Sequence, residues 1–375
     1  MAELKYAQYR LNQLPPEQRR RGFGRWPQTI LFTDNDIIEG SKHFWSYWVK
    51  SLPPPHGPHT HKDMELLVML GSDPAHPKDL GCEIEFSMGP EMEKHVIRES
   101  TLVYVPANLV HGPVRFRNFR KPFIFIQAQS APKLTEKPLK ELVPRQERDT
   151  MVFFDFDGTQ TDGEVERQYR KLQNVEKAFL KSQGGAAEPA EAARTGETKY
   201  SPYFLNEVSA EKRKLKFGRL PQTVIFTDDE IIKGSHQFWV LWISSLPWPE
   251  HGPHNHQVSE SMVILGTNMD NLQDAGLETE DYMGIDGEKY ITTESNLIFM
   301  PAGFVHGPIR YRNLRKPFIM VQCHYAPKLT EKSFKKLAAE KERDKLVFFD
   351  LEGTETDADL QRQRGKRAGN EDLKK

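Results

Sequence analysis

The chain alternates short apolar runs with polar breaks rich in Gly and Pro, and the runs favour β-branched and aromatic residues. Residues 29–33, 44–49, 65–70, 102–105, 114–116 and 123–127 each read as a strand. Helical spacing is confined to a short stretch near 16–20, another near 138–148, and 164–183, where Val165, Leu172, Val175 and Phe179 make one apolar stripe. Many short strands separated by polar turns predict an all-β sandwich or small barrel.

The same pattern occurs twice. Lys5-Tyr6 returns as Lys199-Tyr200, and Phe44-Trp45 with Trp48 returns as Phe238-Trp239 with Trp242, an offset of 194. One residue is then inserted where Pro-Pro-Pro-His at 53–56 becomes Pro-Trp-Pro-Glu-His at 247–251, and the offset is 195 from there on. His-Gly-Pro-His at 56 matches 251, and Ala-Pro-Lys-Leu-Thr-Glu-Lys at 131 matches 326. The chain is a tandem duplication of one domain of about 155 residues, a normal domain size. The boundaries expected are 1–162 for the N-terminal domain, 163–198 for a connecting helix and Gly/Ala-rich linker, 199–357 for the C-terminal domain and 358–375 for a polar tail. A tether of that length lets the two repeats pack as an intramolecular pseudo-dimer.

Composition narrows the function. With 52 Lys plus Arg against 53 Asp plus Glu in 375 residues, no net field draws the chain to nucleic acid or anionic lipid. No apolar stretch is long enough for a membrane span and no signal-like segment opens the chain, so a cytoplasmic protein is expected. Cys82 and Cys323, far apart, give no disulfide framework.

Histidine is where the repeat becomes chemical. Eight of the 13 histidines fall at matched positions: His56, His59, His61 and His111, with His251, His254, His256 and His306. In His59-Thr60-His61 the two rings share a strand face, because side chains alternate. Lys62-Asp63-Met64 turns the chain and Glu65 opens the next strand beside the pair, while His111 arrives after Pro106-Ala107-Asn108. His254, His256, Glu260 and His306 repeat the arrangement. Three imidazoles and a carboxylate suit Fe, Mn, Ni or Zn and leave coordination positions open. The competing reading, polar turns with solvated histidines, does not account for the downstream Pro-x-x-x-x-His or for the duplication.

His-x-His-x3-Glu followed by Pro-x-Gly-x2-His resembles the two signature motifs of the cupin superfamily, and the duplication makes the chain resemble a bicupin. The resemblance covers 56–129 and 251–324 closely. It implies two tandem jelly-roll barrels with a few peripheral helices, each holding one divalent metal through the four residues named. The chain departs from the family pattern in several places. Five residues rather than six separate Glu65 from Gly71, and Ser100 and Ser295 stand where a glycine often opens the second motif. Asn108 replaces the turn glycine, and Arg115 and Arg310 stand where Asn is usual.

The function expected is a metal-dependent enzyme on a small organic substrate, foremost an oxidoreductase of the dioxygenase type. A redox-neutral decarboxylase or isomerase, and a non-catalytic metal or small-ligand binding protein, are the alternatives. Where the repeats differ, His324 stands opposite Gln129 and is the candidate general base, which favours the C-terminal site for turnover. Cys82, Phe86 and His95, matched by Leu277, Asp281 and Tyr290, are read as pocket walls that differ between the copies. Gln127 and Gln322 are pocket candidates, Glu83 and Glu85 a solvated outer stripe, and Trp45 and Trp48 sheet-packing residues with a possible role against an aromatic substrate. His56 and His251 are expected to orient ligands or line the mouth. The run Asp155-Phe156-Asp157-Gly158-Thr159 mimics the nucleophile motif of haloacid-dehalogenase-like phosphatases, but no alternating strand–helix domain follows it, so it reads as a closing strand and turn.

Overall fold

The computed structural model describes residues 4–12, 29–182, 198–206, 223–246, 250–271 and 273–355. The expected helix near 16–20, the linker of 184–193 and the polar tail lie outside them. The chain divides into two compact units: residues 13–206 form one, and residues 1–12 with 207–375 form the other.

The N-terminal unit is a pair of six-stranded antiparallel sheets. The first runs Phe204–Leu205, Thr101–Val105, Glu65–Gly71, Phe123–Gln129, Phe44–Val49 and Thr29–Thr33. The second runs Phe156–Asp157, Thr135–Pro138, His59–Thr60, His111–Arg117, Asp79–Met88 and Glu93–Glu99. Every residue of Glu65–Gly71 is buried, as its unbroken apolar run demands. Odd-numbered residues of that strand, Leu67 and Met69, join Val103, Val105, Phe123 and Phe125 in the inner core. Glu65 has the same parity, so the fold carries a carboxylate into an apolar interior. The connector is one helix, Asp162–Ser182, whose Leu172 packs with Val165 and Val175 on Leu134, Val152 and Phe154. The stretch near 138–148 forms two 3-10 turns, Lys140–Leu142 and Arg145–Thr150.

In the C-terminal unit the first sheet runs Arg10–Leu11, Asn296–Met300, Glu260–Gly266, Phe318–His324, Gln237–Ile243 and Thr223–Thr227. The second is built on Glu288–Glu294, Asp274–Met283 and His306–Arg312, with His251 and His254 both pairing to the last of these. Fold class is therefore all-β, twice, as the pattern predicts.

The arms that precede each repeat are exchanged. Arg10 and Leu11, from the start of the first repeat, pair with Ile298 and Leu297 in the C-terminal unit. Phe204 and Leu205, their counterparts at offset 194, pair with Val103 and Leu102 in the N-terminal unit. The compact units thus depart from the repeat arithmetic at both arms. The residues each arm meets also differ: Arg10 Nη1 lies 2.9 Å from the buried Asp281 carboxylate, whereas Phe204 meets Phe86 edge-on at 5.6 Å and stacks on His95 at 4.0 Å. Cys82 and Phe86 lie in the core, where Phe86 also stacks over His111 at 6.1 Å, and His95 lies against the arm.

Candidate metal centres

In the N-terminal unit, potential ligand atoms of His59, His61, Glu65 and His111 all lie within 4.8 Å of one another, and all four residues are buried. Pairing of His59 with His111 across the second sheet sets two rings side by side, their centroids 4.0 Å apart. Glu65 Oε2 lies 3.3 Å from Nε2 of both His61 and His111. In the C-terminal unit His254, His256 and His306 form one such group, and His256, Glu260 and His324 another. Glu260 Oε2 is 3.2 Å from His256 Nε2 and 3.4 Å from His306 Nε2.

What fits these sites to a metal is how the rings are held. His59 Nδ1–H donates to Gly57 O at 2.7 Å, His111 to Leu109 O at 3.1 Å, and His61 to Thr135 O. His254, His306 and His256 repeat this with Gly252 O at 2.7 Å, Phe304 O at 3.1 Å and Thr330 O. An imidazole that donates from Nδ1 keeps a lone pair on Nε2, the state a metal requires. In the N-terminal site His61 Nε2, His111 Nε2 and Glu65 Oε2 are buried with no hydrogen bond, and Glu260 Oε2 is so in the other. Buried polar atoms left facing one another make the N-terminal site chemically ready for a cation.

Electrostatics agree. Burial opposes ionisation of Glu65, but His61 and His111 outweigh it and hold the carboxyl well below its usual range. Burial likewise opposes charge on His61, yet Glu65, with help from Glu136 and the Thr135 carbonyl, lifts it to about 9. His59 is pushed well below the usual histidine range by burial and then by His111, His56 and His61. Three imidazoles around one carboxylate compete for a single positive charge, which a bound cation replaces.

Several positions around the sites were not visible in the sequence as partners. Glu136 and Glu331, matched at offset 195, are buried and accept from His56 at 2.9 Å and His251 at 2.8 Å. His56 stacks on His59 at 4.3 Å and His251 on His254 at 4.0 Å, so each lies against a candidate ligand. A buried glutamate opening a Glu-Lys pair looks like an ordinary surface charge, and only its recurrence in the repeat hints otherwise. Gln127 donates to Glu65 Oε1, and Gln322 to Glu260 Oε1 at 3.1 Å, so the two pocket glutamines brace the carboxylates.

His324 and Gln129 sit directly across from Glu260 and Glu65 in the sheets. Gln129 donates to Glu65 Oε1 at 3.1 Å. His324 places Nε2 3.2 Å from Glu260 Oε1, and its Nδ1 meets Gln237 Oε1 at 3.0 Å. Burial lowers its pKa to about 3. Gln237 is the counterpart of His43 at offset 194, so a His and a Gln trade places between neighbouring strands of the two units. His43 Nε2 lies 3.5 Å from Gln127 Oε1.

The departures from the motif are structural. Asn108 has φ +61° where its counterpart Gly303 has +76°. Ser100 and Ser295 accept from Gly71 N at 2.8 Å and Gly266 N at 2.9 Å. Arg115 and Arg310 bond Glu147 and Glu342 on flanking turns, at 2.7 and 2.6 Å. Glu83 and Glu85 are buried rather than forming a solvated stripe, because Arg98 pairs with the first at 2.9 Å and Arg117 with the second at 3.3 Å. Phe156–Asp157 pairs antiparallel to Thr135–Glu136, and Asp157 caps Thr159, so the phosphatase-like run is a closing turn. Among the described residues no helix is long and apolar enough to cross a membrane.

No family profile and no curated protein matches the chain. Among solved structures it is similar to a mutant of Bacillus subtilis oxalate decarboxylase, at 13% identity over 84% of this chain and 81% of that one, with a TM-score of 0.48. It is also similar to a formate complex of Lactobacillus farciminis oxalate decarboxylase, at 13% identity over 81% and 83%, with a TM-score of 0.44. Two tandem all-β units, each bringing buried histidines and a glutamate together, are the arrangement that the resemblance to a bicupin implies.

Proposed function

We propose that each unit holds one divalent transition metal, the first through His59, His61, Glu65 and His111 and the second through His254, His256, Glu260 and His306, and that the chain is an enzyme acting there on a small organic substrate. The observation that carries this reading is the set of six imidazoles, each donating Nδ1–H to a backbone carbonyl. Fe, Mn, Ni and Zn all suit the donors, and such an ion supplies a Lewis acid with open positions.

Redox-neutral acid–base chemistry, a decarboxylation or isomerisation, is the reaction class these surroundings favour. His56 and Glu136 form a proton-handling pair against the ligand ring of His59. Burial works against the Glu136 carboxylate, but His56 and His61 hold its pKa below the usual range, so it stays anionic beside the His56 ring. His251 and Glu331 occupy the same place in the second unit. His324, held through Nδ1 by Gln237 with Nε2 3.2 Å from Glu260 Oε1, remains the candidate general base of the second unit. The dioxygenase-type reading shares the same ligands, and dioxygen uptake during turnover separates the two.

Metal analysis of the full chain purified without added metal tests the proposal. About two ions per chain are expected. His59→Ala with His61→Ala should remove one of them, and His254→Ala with His256→Ala the other. A folded wild-type chain free of transition metal, or unchanged content in both variants, would overturn it. Metal without turnover of any carboxylate, enediol or catechol substrate would leave the non-catalytic binding protein.

A further inference from the structure

The N-terminal site opens into a cavity of about 400 Å³ that runs outward from His59, Glu65 and His111. That volume lies within the range of small-molecule sites, and a two-carbon diacid would leave most of it empty. One wall is a ladder of rings. Trp45 and Tyr47 lie 4.2 Å apart and Tyr47 and Phe125 stack at 5.2 Å with planes 26° apart. Trp45 gives its indole N–H to Thr29 Oγ1 at 3.1 Å. The connector helix adds Glu176, Phe179 and Leu180 to the lining. Among the described lining residues there is no Lys or Arg.

We propose that the N-terminal site takes an uncharged aromatic ligand with metal-coordinating oxygens at its inner end, its ring lying on the Trp45–Tyr47–Phe125 wall and its outer end under the connector helix. This rests on the metal reading above. Beyond the ligand residues the lining has no Lys or Arg, and His56 is already paired with Glu136, so a second carboxylate on the substrate would find no spare counter-charge there. In the C-terminal unit the matching wall is Trp239, Leu241 and Met320, without the stacked rings. The two sites therefore differ in substrate class while sharing ligands.

The test uses the full chain with His254→Ala and His256→Ala, so that only the N-terminal site is loaded, and three probes: benzohydroxamate, acetohydroxamate and oxalate. Titration calorimetry should give benzohydroxamate an affinity at least tenfold above acetohydroxamate, with oxalate weakest. Tyr47→Leu with Phe125→Met, which installs the C-terminal wall, should cut that preference to threefold or less. Tryptophan emission of the chain without wall substitutions, followed during the same titrations, supplies a second reading: it should change with the aryl probe and not with the methyl one. A metal-loaded protein that binds both hydroxamates equally, or oxalate best, overturns the inference alone. A preference that survives the wall substitutions overturns the wall assignment. A chain that holds no metal and binds no probe fails at the metal reading itself.

Discussion

Gly112 follows the candidate ligand His111 with φ +81°, and a Cβ there would stand 2.8 Å from Gly57 O. That carbonyl is the one that orients His59. Gly112→Ala should therefore disturb two ligands at once: positive φ strains an L residue, and the new methyl displaces an acceptor. The expected outcome is loss of the N-terminal metal with the C-terminal one retained, read by metal analysis. A second residue-scale test concerns the traded His and Gln. Gln129→His alone sets two buried rings at neighbouring positions and should cost about 1–2 kcal/mol in urea unfolding, while adding His43→Gln rebuilds the C-terminal arrangement and should recover at least half. Reading these positions one at a time hid the exchange, because His43 and His324 each lack a histidine counterpart and only the sheet puts their partners side by side. That the six matched histidines and both glutamates come together could be read from spacing, since two-residue strand alternation fixes which side chains share a face.

Strands with an apolar rhythm could be read in the same way, and those without one could not. Asp79–Met88 and Glu93–Glu99 carry Glu83, Glu85 and Arg98 in their runs and satisfy them through ion pairs, so no clean alternation marks them. The arms are shorter still, two residues each, and their partners lie in the other repeat. Yet the arms carry sharp chemistry. Arg10 and Asp281 are both nearly fully buried and face each other, while Phe204 and Phe86, their counterparts, make an apolar pair. An arm placed in its own repeat's barrel would set Arg10 against Phe86 and Phe204 against Asp281, leaving two buried charges unpaired. Arg10→Ala should accordingly destabilise the C-terminal unit by about 3–5 kcal/mol, because Asp281 is left without its cation. Arg10→Phe with Asp281→Phe should be far less damaging, since apolar groups of similar size replace the pair. Thermal unfolding of the two variants decides between them; equal losses would show that the pair is not what holds the arm.

At the scale of the molecule, tandem barrels were legible because a 194–195 residue period repeats strands, motifs and turns together. The exchange of arms was not, since sequence order assigns each arm to the barrel that follows it. That exchange decides what counts as a complete fold. A chain cut near residue 190 yields two fragments, each with a barrel whose edge strand, Thr101–Val105 or Asn296–Met300, has lost the segment that covers it. An uncovered edge strand is a template for pairing with another chain. Each fragment also carries the segment the other lacks, so the two halves are mutually completing pieces. Expressed together they should copurify as a one-to-one pair; expressed alone, each should aggregate or pair with itself. Independent, monomeric and stable halves would show the arms to be dispensable. By the same logic, two intact chains at high concentration can trade arms with each other in place of trading them within themselves, so that assembly state becomes a matter of concentration and of how the protein was refolded.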